Sequence, residues 1–419
     1  AARVTCIKPE GCQVGETLLV TDTGILELAE IGDTGGKTWQ EKNLVSSTDF
    51  GHQRLTKFFV NGKAATNKIS TDGGLELEAT DKHKFRVLSN GDYVWKEAKD
   101  LVTGDIMPYR LGGYRGGRIR ELPELDLTKN AHDRTTFCLK QPRTLDADLA
   151  WFLGLYWGDG STHKKGIRIS GDTRFRQHLV KAAEIVLDKF GVRHCFVDYK
   201  SKNPTDNRCQ VYWNSQQLLK YMALHNLIKP KSEDLEIPLW IRTSPTHIIK
   251  AFIDGYGCAD GCTKSRTRSF VTVSKKMAIQ LVVVLRAIGI DCKCRKMPPT
   301  ESSFGTRMRY WIQERLGRKG EPSKQAKRKR EIWGYLDQVG LTDHSYDTVL
   351  EVTKSENATF DVEVPGSRTY IANSYVSHNT ASLVLGTASG VHGRHAPYYI
   401  RRVRISVSDP LLKLAQEQG

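Results

Sequence analysis

Four short sequences recur in the same order along the middle of this chain, and they do so between two halves of a different pattern. Phe152-Leu-Gly-Leu-Tyr-Trp-Gly-Asp-Gly160 is echoed by Ile253-Asp-Gly-Tyr-Gly-Cys-Ala-Asp-Gly261. Ile167-Arg-Ile-Ser170 returns as Val271-Thr-Val-Ser274, Phe190-Gly-Val192 as Ile288-Gly-Ile290, and Val211-Tyr-Trp213 as Arg309-Tyr-Trp311. One such echo arises easily by chance, but an ordered series of four marks a duplicated unit, hence a mixed α/β domain with a pseudo-twofold axis. Leu149–Gly158 is apolar on every face, which requires a buried helix. Ser244-Pro245 reads as the cap and first-turn proline of the matching helix. Gly154 and Gly158 are four apart, as are Gly255 and Ala259, so each helix carries a bare stripe that lets two backbones approach closely. Asp159 and Asp260 then emerge at equivalent helix ends near the axis.

The flanking pattern is all-β. On the N-terminal side, Gly15–Gly24 reads as strand and turn, Gly74–Thr80 and Lys84–Leu88 as strands, and Asn90-Gly91 as a hairpin turn. The same pattern returns in Thr348–Val352 and Thr359–Val364. A β domain is therefore split, with the α/β unit inserted into it. The expected segments are a flank 1–11, the first β half 12–110, a linker or DNA-recognition segment 111–144 that includes the glycine-rich Gly112–Gly117, the duplicated unit 145–315, a basic linker 316–344, the second β half 345–379 and a flank 380–419.

Charge narrows the partners. A net charge of +16 favours an anionic partner, nucleic acid above all, and aromatics interleave the cations in Arg307-Met-Arg-Tyr-Trp311. The nine cysteines are scattered and odd in number, so a reducing, cytoplasmic setting is expected. No apolar run reaches the length of a membrane span, and a monomer without a membrane partner is expected. Cys258, Cys262, Cys292 and Cys294 could be counted as four zinc ligands, but Cys258 falls inside the proposed helix motif and reads better as a small buried thiol.

Chemistry concentrates at two junctions. Gly11-Cys12 places a thiol next to an unhindered carbonyl, and a cysteine there can attack its own preceding carbonyl to give a thioester. In Ser377-His378-Asn379-Thr380, the Asn side chain can attack its own carbonyl and cut the chain, His378 can move the proton, and Thr380 offers a hydroxyl acceptor. Together with Gly15-Glu-Thr-Leu-Leu-Val, Thr80-Asp-Lys-His83 and Asp361-Val-Glu-Val-Pro-Gly, these junctions resemble the intein (Hint) family. The resemblance covers about residues 12–110 and 345–379. It implies a horseshoe-like all-β splicing domain in which Thr80, His83 and Asp361 assist the first acyl shift from Gly11 to Cys12. The Thr380 hydroxyl then takes the acyl group, Asn379 cyclises, and Gly11 is joined to Thr380 without any cofactor. The family usually has a histidine eleven residues before the terminal Asn; Arg368 stands there, a permanent cation that cannot act as a base but can steady an oxyanion.

The repeated Gly-Asp-Gly and Ala-Asp-Gly elements resemble the LAGLIDADG homing endonucleases. That likeness implies Mg²⁺ held by Asp159 and Asp260, with double-stranded DNA as substrate; an insert that only binds DNA is the alternative. The family's lysine has no counterpart at its usual place before Ile237-Pro238, and Lys231 is the nearest substitute. Joining Gly11 to Thr380 restores Lys8-Pro-Glu-Gly-Thr-Ala-Ser, which resembles the adenosylcobalamin-dependent ribonucleotide reductases and implies such a host for the two flanks.

Overall fold

The computed structural model describes residues 11–127, 138–199, 207–262, 267–300, 306–316 and 326–379; both flanks, 1–10 and 380–419, lie outside these. The first β half supplies nine strands: β1 (Gln13–Val14), β2 (Leu18–Val20), β3 (Ile25–Glu27), β4 (Trp39–Thr48), β5 (Gly51–Thr71), β6 (Glu76–Thr80), β7 (Lys84–Ser89), β8 (Asp92–Glu97) and β9 (Ile106–Arg110). Asn90 and Gly91 both take positive φ, 51° and 89°. That is the mirror-image turn whose twist matches a tight hairpin, and it closes β7 on β8 with Ser89 opposite Asp92.

In the middle of the chain, α1 (Ala147–Asp159) leads into β10 (Gly160–His163) and β11 (Gly166–Asp172), then α2 (Arg176–Phe190), β12 (Cys195–Asp198) and β13 (Arg208–Trp213). The second copy runs α3 (Thr246–Asp260), β14 (Gly261–Cys262), β15 (Ser269–Thr272), α4 (Lys275–Ala287), β16 (Cys292–Thr300) and β17 (Arg307–Glu314). Their sheets have the orders β10-β11-β13-β12 and β14-β15-β17-β16, the same pattern twice. Even the register repeats: Ile167 faces Trp213 and Val271 faces Trp311.

Helices α1 and α3 touch backbone to backbone. A Cβ on Gly154 would come within 2.0 Å of the Phe252 carbonyl oxygen, and one on Gly255 within 1.9 Å of that of Trp151. Asp146 caps α1, its carboxylate accepting from the Leu149 amide at 2.9 Å. The expected cap of α3 does not form. Pro245 occupies that position, and the Ser244 hydroxyl instead donates to the Trp240 carbonyl, because the preceding short helix leaves its last carbonyls open.

The second β half follows a helix, α5 (Ala326–Gln338), within the stretch expected to be a basic linker. β18 (His344–Glu363) is one strand rather than the two expected. It stays paired with β5 from Val349 to Glu363, and the polar run between its apolar ends faces outward on both sides, so the alternation that marks a half-buried strand is missing there. β19 (Thr369–Ala372) and β20 (Tyr375–His378) form a hairpin through Asn373 and Ser374, both at positive φ. The chain leaves this sheet at Arg110 and re-enters it at His344, and these two residues are opposite each other on neighbouring strands.

Gly112–Gly117 is pinned rather than a free linker. The Gly112 amide donates to Arg286 and the Gly117 amide to Asp22, and the Tyr114 hydroxyl donates to the Ser244 carbonyl at 2.7 Å. A buried polar cluster lies beside it. Arg286 of α4 pairs with Asp347 of β18 at 2.8 Å, both side chains fully excluded from solvent, and its guanidinium lies 3.6 Å above the Tyr109 ring centre. The Tyr375 hydroxyl also donates to Asp347. Among the described residues no helix is long and apolar enough to cross a membrane.

Candidate functional site

Strand register builds the N-terminal junction. Gln13 of β1 faces Ala79 on one side and Phe360 on the other. One residue back, Cys12 therefore falls between Thr80 and Asp361. The Cys12 amide donates to Thr80 Oγ1 at 2.9 Å, and the Thr80 amide donates to the Cys12 carbonyl at 2.9 Å. Thr80 thus grips the peptide unit on both sides of the thiol. Cys12 is wholly buried. Burial, and next the charge of Asp361, hold its thiol well above the usual range, so a base must remove its proton before it can attack. Asp361 is buried within the same cleft and accepts from the Tyr370 hydroxyl at 3.2 Å.

His83 is the second group at this junction. Burial pushes it down to about 3, an attraction to the Gly11 backbone offsets part of that, and the charge of His378 lowers it further. The ring is therefore neutral near pH 7, with Nε2 against Gln13 and with Nδ1 buried, drawn toward the Gly11 backbone but without a hydrogen-bond partner of good geometry among the described residues.

The hairpin β19–β20 brings the other junction to the same place. Ser377 faces Phe85, two residues beyond His83, and Thr369 faces His378. The Asn379 amide donates to the Arg368 carbonyl at 3.0 Å. Arg368 sits at φ 60°, the left-handed conformation that turns the chain into the hairpin. His378 is lowered to about 4 by burial first and then by Lys84, Arg368 and Arg86; its ring meets the Trp95 edge at 5.0 Å. A neutral His378 suits proton acceptance. The Asn379 side chain is fully buried, and neither its Nδ2 nor its Oδ1 has a hydrogen-bond partner among the described residues. Such an amide loses little by reacting. Thr380 lies outside the described residues.

One member of this cluster was not foreseen. Gln13, fully buried, places Nε2 at 3.0 Å from His83 Nε2, Tyr370 Oη and Ser377 Oγ. A long polar side chain beside Cys12, where the β pattern calls for burial, is the signal that could have found it.

A second cluster lies where α1 and α3 end. Burial, and then Asp260, raise Asp159 to about 7; burial also raises Asp260, against the pull of Lys229 and a hydrogen bond from Tyr256. Two half-buried carboxylates whose burial favours the protonated form fit a divalent cation, which would replace the proton. Lys229 is the cation between them: its ammonium donates to the Gly158 carbonyl, and burial lowers its proton affinity. Lys231, the residue expected to fill that role, is exposed at the start of a short 3₁₀ turn. A lysine two residues earlier reaches inward because α1 ends directly beneath it. The four cysteines once weighed as zinc ligands do not converge: Cys262 is on β14 and Cys292 and Cys294 are on β16, at opposite edges of one sheet.

A family model described as "Intein splicing domain" matches residues 19–379. The replication factor C small subunit of Methanocaldococcus jannaschii is 23% identical over 365 residues, covering 84% of this chain and 17% of that protein. The ribonucleoside-diphosphate reductase NrdEB subunit alpha of Bacillus subtilis is 22% identical over 296 residues, covering 65% of this chain and 24% of that protein. This chain thus spans less than a quarter of the length of either relative. Among solved structures, I-DmoI in complex with DNA and Mn is 18% identical, covers 45% of this chain and 94% of its own, and gives a TM-score of 0.30.

Proposed function

The chain belongs to the intein splicing domain family, and from that membership we propose that it excises residues 12–379 and joins Gly11 to Thr380, and that its inserted unit, residues 145–315, cuts DNA. Cys12 Sγ attacks the Gly11 carbonyl carbon; the C–N bond breaks, and the thiol proton ends on the freed Cys12 amine. His83 donates to the peptide under attack, Thr80 fixes it, and Asp361 is the base in reach of the thiol. The Thr380 hydroxyl takes the acyl group from sulfur. Asn379 Nδ2 then attacks its own carbonyl, with His378 accepting the proton, and the released Thr380 amine captures the ester to restore a peptide. Each step exchanges one acyl bond for another, so no cofactor is required.

The observation that carries this reading is the register that sets Cys12 between Thr80 and Asp361, next to the hairpin that ends in Asn379. Intact-mass spectrometry of the expressed chain over time tests it. A product of residues 1–11 joined to 380–419 is expected; separate flanks without joined product would sink the ligation.

For the insert, Asp159 and Asp260 would hold Mg²⁺, which supplies an activated water and charge neutralisation for phosphodiester hydrolysis. Tyr256 orients Asp260, and Lys229 offsets the charge of the phosphate. The intact pair of carboxylates with a half-buried lysine favours cutting over DNA binding alone. Incubating the protein and Mg²⁺ with the host gene lacking the insertion should give a double-strand break; splicing without any cut would favour the binding-only reading. The flanks belong to an adenosylcobalamin-dependent ribonucleotide reductase host, and the cobalamin would be held by parts of it outside this chain.

A further inference from the structure

Gln13 has more partners than it has hydrogens. Its amide nitrogen lies 3.0 Å from each of His83 Nε2, Tyr370 Oη and Ser377 Oγ, while its own Oε1 is buried without a hydrogen-bond partner. An amide nitrogen carries two protons, so three acceptors compete for two. Tyr370 is already turned toward Asp361, to which it donates at 3.2 Å, and so has only a lone pair to offer Gln13. His83 faces the same choice. Where Gln13 donates to Nε2, a neutral imidazole must keep its single proton on Nδ1. With the amide reversed, Oε1 would accept from Nε2–H and Nδ1 would be bare. The orientation of one amide therefore selects the tautomer of the ring.

We propose that Gln13 is a positioning residue for the first acyl shift: its amide holds His83 as the Nδ1–H tautomer, ready to donate to the Gly11-Cys12 peptide, and its contact with Ser377 ties that state to the hairpin carrying His378 and Asn379. This rests on the reading of Gly11-Cys12 as the first scissile bond. The geometry gives Gln13 no contact with reacting atoms, so it acts through His83. It also links the junctions physically, because His83 of one and Ser377 of the other share a single side chain. A shift of the hairpin as Asn379 reacts would free one amide proton and alter the balance at His83.

The test uses the full chain with Asn379→Ala and Thr380→Ala, so that only the first step runs, read as thiol-induced cleavage after Gly11. Gln13→Glu presents acceptors only and should force the proton onto Nε2, while Gln13→Leu removes the partner. Both should slow cleavage by roughly tenfold or more, the effect of one lost hydrogen bond in the transition state. Nitrogen-15 NMR of the His83 ring should move from the Nδ1–H to the Nε2–H pattern in Gln13→Glu. Thermal melting identifies any variant that has failed to fold, and Gln13→Asn, shorter but chemically alike, should recover part of the rate if hydrogen bonding is what matters. His83→Ala is the control for the underlying reading: unchanged cleavage there would overturn the role of His83 itself. If His83→Ala stops cleavage while folded Gln13→Glu keeps both the normal rate and the Nδ1–H spectrum, the proposal about Gln13 is wrong.

Discussion

Replacing Arg286 by Met should destabilise the chain by about 3 kcal/mol, although Arg286 is far in sequence from either junction. Both members of its pair with Asp347 are fully buried and 2.8 Å apart. At that separation the attraction is large even in a moderately polarisable interior, but most of it offsets the cost of taking two charges out of water. What matters is the asymmetry: removing one partner leaves a buried carboxylate behind and costs about 3–5 kcal/mol. Asp347 would retain the Tyr375 hydroxyl at 2.7 Å and Arg315 at 3.8 Å, which places the loss at the lower end. For a chain of 419 residues that corresponds to a fall in Tm of roughly 3–4 °C. The assay is thermal and urea unfolding in a Cys12→Ala, Asn379→Ala background, which keeps the chain whole. Adding Asp347→Leu to Arg286→Met should recover most of the loss, because no uncompensated charge remains and Tyr375 can still bond Thr71. A single-variant loss below about 1 kcal/mol, or a double variant no better than the single, would show that the pair is not energetically coupled in this way.

Cys12→Ala should abolish both thioester and joined product, whereas Asn379→Ala should leave the first step running and let branched chain or free N-terminal flank accumulate on a denaturing gel; joined product from either would refute the assigned roles. Asp159, lifted from the ordinary 3.8 to about 7, keeps its proton in the folded chain below that value, so the cost of ionising it in place builds up as pH rises from about 4 to about 7 and is complete above. The rise in Tm on adding Mg²⁺ should therefore grow between about pH 6 and 8 and vanish in Asp159→Asn; a pH-independent rise would contradict a cation–proton exchange. Arg368→Gln removes one of the cations that depress His378, so the acid limb of C-terminal release should move to higher pH; an unmoved limb would mean that His378 does not govern it.

The duplicated unit was legible because its signal is redundant: the four echoes fall on matching strands and helix ends, and the small residues of Gly154 and Gly255 lie where two backbones meet. The junction residues were legible because the chemistry proposed for them is local to the adjoining peptide bonds. Other features depend on partners distant in sequence. The length of β18 could not be read from its polar centre, since only pairing with β5 holds that stretch extended. Lys231 is the lysine nearest to Ile237-Pro238 in sequence, but spacing along the chain says nothing about which lysine turns over the end of α1, and Lys229 does. Gln13 escaped notice for a similar reason: its three partners come from β19, β20 and the segment before β7.

Arg110 and His344 face each other across one rung of the splicing sheet, so everything between them hangs from a gap that a short turn could close. Topologically, the insert could have been acquired or discarded without rethreading a single strand. Electrostatically it could not leave so freely, because Arg286 would go with it and Asp347 would stay. A minimal splicing protein trimmed at this rung should therefore need a second change at position 347 before it folds as firmly as its parent, and a lineage that had shed the inserted unit would be expected to carry an uncharged residue there.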